Sequence, residues 1–105
     1  GQCRFKDAAD VFRTMVNAQP EDERGWLGLG QAHDGANQKL IAREMYLTGV
    51  TLAHSGRCAI ALARILRDTN QDAEAAEVID FADAMAKETD DGALAALVSY
   101  ERGAS

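Results

Sequence analysis

Residues 26–33 read Trp-Leu-Gly-Leu-Gly-Gln-Ala-His, and residues 42–46 read Ala-Arg-Glu-Met-Tyr. In the first stretch Trp26, Leu29, Gly30 and His33 fall at i, i+3, i+4 and i+7, which is one face of an α-helix. In the second, the small Ala42 is followed four positions later by the large Tyr46. A small residue lets two helix axes approach closely, and a bulky one on the next turn fills the groove that remains. Gly35-Ala36-Asn37 interrupts the chain between them, so the two stretches read as a pair of packed helices.

The pattern recurs outward in both directions. Phe5, Ala8 and Phe12 move by 34 positions onto Lys39, Ala42 and Tyr46, and by a further 33 onto Asp72, Ala75 and Ile79. Trp26, Leu29, Gly30 and His33 move by 33 onto Ala59, Leu62, Ala63 and Leu66, one residue being lost near Ser55. A single helix pair cannot bury its own apolar face, so such repeats stack on one another. Helices are expected at 5–18, 23–34, 38–53, 57–68, 71–87 and 91–102. Pro20-Glu21-Asp22, Gly35-Ala36-Asn37, His54-Ser55-Gly56, Thr69-Asn70 and Thr89-Asp90 mark their ends. The expected fold class is all-α, one domain over 1–105, with the second helix of a repeat at 5–20, a repeat at 21–54, a degenerate repeat at 55–88 and a capping helix at 89–102.

Composition agrees with helices. The apolar 47% of the chain is rich in alanine and leucine, only 6% is aromatic, and Pro20 is the single proline. A net charge of −6 disfavours binding to phosphate backbones, so no nucleic-acid partner is expected, and a basic or apolar partner suits it better. No run has the length of a bilayer-spanning helix and no leader resembles a signal peptide, which predicts a cytoplasmic protein without membrane insertion. Cys3 and Cys58 lie far apart and outside metal-ligand spacings, and read as reduced thiols.

Trp26-x-x-Leu29-Gly30, then Ala42 and Tyr46, with Pro20 closing the preceding repeat, resemble the tetratricopeptide (TPR) signature. The resemblance is strongest over residues 5–46. The departures are His33 in place of the usual aromatic residue, Asn37 in place of the turn glycine and His54 in place of the closing proline, and the third repeat has lost its large aromatics. Within that family Phe5-Lys6-Asp7-Ala8, Phe12, Glu21-Asp22, Trp26-Leu27-Gly28-Leu29-Gly30 and the acidic turn Thr89-Asp90-Asp91 are similar to the arrangement in bacterial chaperones of type III secretion translocators. The resemblance implies a right-handed superhelical α-solenoid of about six helices. It also implies a concave groove lined by the first helix of each pair and a polypeptide client held there in extended form.

The helix faces that the resemblance turns toward the groove carry Arg24, Leu27 and Gln31 in one repeat and Arg57, Ile60, Arg64 and Arg67 in the next. Arginine suits peptide carbonyls, carboxylates and aromatic faces, and an exposed isoleucine among arginines would anchor an apolar side chain. The competing assignment has the arginines pairing with acids on neighbouring helices. The lysine and asparagine pattern with which some tetratricopeptide domains grip a terminal carboxylate is absent, its places being held by Leu27, Gln31, Ile60 and Arg64. His33 lies on the core stripe and His54 at a helix end, neither at catalytic or metal spacing. Cys58 beside Arg57 reads as a structural thiol. Gly28-x-Gly30 follows no strand and reads as helix packing rather than a phosphate loop, and Trp26 and Tyr46 read as core residues. No enzyme, cofactor or metal is expected. The expected function is a protein–protein interaction module, as a secretion chaperone or, alternatively, as a scaffold fragment of a longer array. Phe5 and Phe12, with no helix before them to cover their face, predict a homo-oligomer through the N-terminal helix.

Overall fold

The computed structural model describes the backbone of residues 2–103 and the side chains of residues 5–103, so the Cys3 thiol lies outside the described residues. Among the described residues the regular structure is entirely helical: α1 (Gln2–Ala18), α2 (Glu23–Gly35), α3 (Lys39–Ala53), α4 (Gly56–Asp68), α5 (Asp72–Glu88) and α6 (Gly92–Gly103). The helices form two compact units, Gly1–His54 and Ser55–Ser105.

In the first unit α1 and α2 run antiparallel, Val16 meeting Gly25, Phe12 meeting Gly28 and the Phe5 ring standing edge-on to His33 at 5.2 Å. Phe5, Phe12, Trp26 and Met45 pack on a buried cluster of Ala9, Val16 and Leu29. This corrects the expectation that Phe5 and Phe12 lack cover: α2 supplies it, and Val11, at 60% exposure, is the large apolar residue of α1 that reaches solvent. The glycines of 26–30 are contact points. A Cβ on Gly28 would lie 2.4 Å from the Phe12 ring, and one on Gly30 would lie 2.1 Å from the Tyr46 ring of α3. Trp26 Nε1 donates to the Pro20 carbonyl at 2.7 Å, tying the α1–α2 turn to the helix that follows.

In the second unit α5 folds back on α4 across a short turn at residues 69–71, and α6 then runs parallel to α4. The turn after α4 repeats the turn after α2 bond for bond. Gln38 N–H donates to His33 O and Gln71 N–H to Leu66 O, both at 2.8 Å. Asn37 N–H donates to Asp34 O and Asn70 N–H to Arg67 O, both at 3.0 Å. Asn37 (φ 61°) and Asn70 (φ 62°) take the left-handed conformation, which asparagine tolerates better than most non-glycine residues and which returns the chain after a helix C-terminus. The 33-residue period is therefore present in the backbone as well as in the side-chain pattern. Ala42 and Ala75, one period apart, are both fully buried.

Candidate interaction surface

The α4 arginines are engaged by the protein itself. Arg64 Nε donates to Glu101 Oε1 at 2.5 Å, Arg67 Nη1 donates to Glu101 Oε2 at 2.7 Å, and Arg67 Nη2 reaches the Glu101 carbonyl at 2.8 Å. Arg57 holds both carboxylate oxygens of Asp91, at 2.9 and 3.3 Å. Asp91 in turn caps α6 by accepting the Leu94 N–H at 3.0 Å. The Arg57 hydrogen bond, and then the Leu94 amide, hold the Asp91 carboxyl below its ordinary range. The Glu101 side chain is only 3% exposed, so two guanidinium groups compensate a carboxylate that water scarcely reaches. This is the pairing of arginines with a neighbouring helix that competed with a groove role.

Ile60 requires a correction. It is 2% exposed and unavailable as a surface anchor, because eight of the thirteen residues of α4 are buried and the helix is enclosed on more than one side. On α2, Arg24 is exposed and its guanidinium lies on Asp22 at 2.7 Å. That contact, with the Arg24 amide, lowers the Asp22 carboxyl to about 2. Gln31 is exposed and Leu27 half-buried. The predicted stripe thus reaches solvent at Arg24, Leu27, Gln31 and Arg64, whereas Arg57 and Arg67 are half-buried in ion pairs.

A different face stands open. On α3, Leu40 is 75% exposed, and Ile41, Leu47 and Leu52 are between 42% and 49% exposed. Thr48 Oγ1 donates to Glu44 O and Thr51 Oγ1 to Leu47 O, so both hydroxyl protons are turned back into the helix. Glu44 is the one exposed charge between Leu40 and Leu52. The core of the unit takes Ala42, Tyr46 and Gly49 from the opposite side of the helix. The signal was present in the sequence as a second set of apolar positions beside the repeat's small-then-large pattern.

The remaining candidates are structural. His33 is buried and its Nδ1 lies 2.7 Å from Gln38 Oε1, where it braces the α2–α3 turn. His54 closes α3 at φ 49°, and Cys58 is fully buried. An open groove of about 410 Å³ is lined by Arg67, Asp72, Ala76, Ile79, Asp80 and Arg102. Its cations are committed, Arg67 to Glu101 and Arg102 to Asp80 at 2.9 Å and to Asp83 at 3.5 Å. Among the described residues no three histidine, cysteine or acidic side chains converge as metal ligands, and no helix is long and apolar enough to cross a membrane. No family model matches the chain, and neither a curated protein nor a solved structure matches it.

Proposed function

We propose that the protein is a helical-repeat module that binds an extended, partly apolar polypeptide segment. The observation that carries this is the exposed Leu40, Ile41, Leu47 and Leu52 face of α3, with the intervening threonine hydroxyls already satisfied. Four large apolar side chains gathered on one exposed helix face, with Glu44 as the single exposed charge among them, support an interaction site there. From Leu40 to Leu52 the face runs roughly 18 Å, the span of about five or six residues of extended chain. A net charge of −6 favours an apolar segment with basic flanks.

The finer architecture belongs to the same proposal. The bond-for-bond repetition of the turns at Asn37 and Asn70 supports tetratricopeptide-like helix pairs, and the right-handed solenoid rests on the resemblance of Trp26–Gly30, Ala42 and Tyr46. In that arrangement Arg24, Leu27, Gln31 and the exposed part of Arg64 remain the groove-side contacts. The narrower role of a secretion chaperone for an apolar bacterial client rests on the resemblance of Trp26–Gly30 and its surroundings. The test is fluorescence anisotropy of labelled twelve-residue peptides graded in leucine content and charge. Leucine-rich, weakly basic peptides should bind, and Leu40→Asp/Leu47→Asp should weaken them by at least about tenfold, the scale of central anchors. Binding that is absent throughout, or unchanged in the double variant, overturns the assignment.

A further inference from the structure

At about 100° of rotation per residue, the outward side of α3 resolves into three lines. Leu40 and Leu47 form one edge, Ile41 and Leu52 form the other, and Glu44, Thr48 and Thr51 lie between them. This side stands opposite Ala42, Tyr46 and Gly49, which face the core. Glu44 and Thr51 are exposed and Thr48 is half-buried. Glu44 is therefore the charged centre of the face, with Leu40, Ile41, Leu47 and Thr48 its neighbours at three and four positions along the helix.

The middle line accepts hydrogen bonds and offers none. A threonine hydroxyl has one proton to donate and two acceptor lone pairs. Thr48 gives its proton to the Glu44 carbonyl at 2.7 Å, and Thr51 gives its own to the Leu47 carbonyl at 3.0 Å. Each hydroxyl is left with lone pairs for a ligand, and an ionised glutamate is an acceptor only. Among the described residues no basic side chain pairs with Glu44. Lys39 lies on another side of α3 with its ammonium on Asp34, and Arg43 is half-buried beyond the Leu40–Leu47 edge. A ligand laid over the line must bring the donors. One that brings a carboxylate or a phosphate there sets like charges against each other.

We propose that Glu44 determines the specificity of this face by selecting, within the bound segment, a lysine or arginine that has apolar residues on both sides of it. This rests on the peptide-binding reading of α3. The cationic head of the base meets the Glu44 carboxylate, and its apolar neighbours in the segment lie on the two leucine-bearing edges. Those edges keep part of the surrounding water away, which makes the pair stronger than an ordinary surface ion pair. The net charge of −6 attracts a base at any position in a peptide, whereas Glu44 favours it at the centre.

The experiment is fluorescence anisotropy with three labelled twelve-residue peptides. The first carries one lysine between two pairs of leucines. The second has the same composition with the lysine moved to one end, so that net charge and leucine content are held constant. The third has glutamate in place of the central lysine. Wild type should bind the first at least about tenfold more tightly than the second, the scale of one charge-assisted hydrogen bond, and the third most weakly. Glu44→Gln keeps the side-chain shape and should bring the first two peptides within about twofold of each other. Glu44→Lys should rank the central-glutamate peptide above the central-lysine one. Circular dichroism establishes that both variants are folded. Equal affinity of wild type for the two lysine peptides overturns the proposal, as does a preference that survives Glu44→Gln or a ranking that Glu44→Lys does not invert. In each of those cases the peptides are still bound, so the reading of α3 as a peptide face stands. Absence of binding by all three peptides overturns both.

Discussion

Replacing Arg64 and Arg67 together by alanine isolates what holds α6 in place. Glu101 is 3% exposed and its two carboxylate oxygens are held by these two arginines. Removing both strands a buried carboxylate, a change that in enclosed settings costs about 3–5 kcal/mol. The arginine side chains are themselves 54% and 25% exposed, so their truncation admits water and lowers the expected loss to about 2–4 kcal/mol. For a chain of this size that corresponds to a fall in Tm of about 10 °C or more. The assay is urea and thermal unfolding followed by circular dichroism, with hydrogen exchange of the α6 amides to localise the effect. Adding Glu101→Leu to the double variant should restore most of the loss, because the stranded charge is then gone and an apolar side chain of similar volume fills its site. A double variant within about 1 kcal/mol of wild type, or one that Glu101→Leu does not rescue, refutes the assignment of Glu101 as the buried tie between α4 and α6.

Three further outcomes follow from the packing and the turns. Gly30→Ala sets a Cβ 2.1 Å from the Tyr46 ring and should cost about 1–3 kcal/mol in chemical denaturation, more than Gly56→Ala, whose new Cβ meets the movable end of Leu94. Asn70→Val, forcing a β-branched residue to φ 62°, should cost about 1–2 kcal/mol by the same measurement, while Asn70→Gly should leave stability unchanged or raise it. Asp91 has a folded-state pKa below its ordinary 3.8, so its contribution is fully present above that value and is lost as pH falls through the lower folded value. A carboxyl titration by NMR should show Asp91 titrating low in wild type and shifted upward in Arg57→Gln, though still below the ordinary value because the Leu94 amide continues to donate to it.

Much of the fold was legible in the sequence because its breakers are local. Pro20, the Gly35–Asn37 turn and Thr69-Asn70 place helix ends within a few residues of where they fall, and the small-then-large spacing at Ala42 and Tyr46 identifies a real close crossing. Ile60 was misjudged because a helical wheel shows one buried face, whereas α4 packs against both α5 and α6 and buries eight of its thirteen residues. The arginine stripe was legible as a stripe but its partners were not. Asp91 and Glu101 stand one repeat length beyond Arg57 and Arg67, a charge-complementary offset visible only once α6 is placed parallel to α4. The open face of α3 was legible only as a second set of apolar positions, with nothing to show that they face outward. Leu40 and Leu47 look like core residues in any apolar helix, and only the unit's actual packing leaves them outside.

The most direct test is a methyl and amide NMR titration of the folded protein with the leucine-rich, weakly basic peptide that binds best in the anisotropy panel. The expected result is shift changes concentrated on Leu40, Ile41, Leu47 and Leu52 of α3. Changes confined to Arg24, Leu27 and Gln31 on α2 or to the α4 arginines, with α3 unmoved, would contradict the assignment of the α3 face.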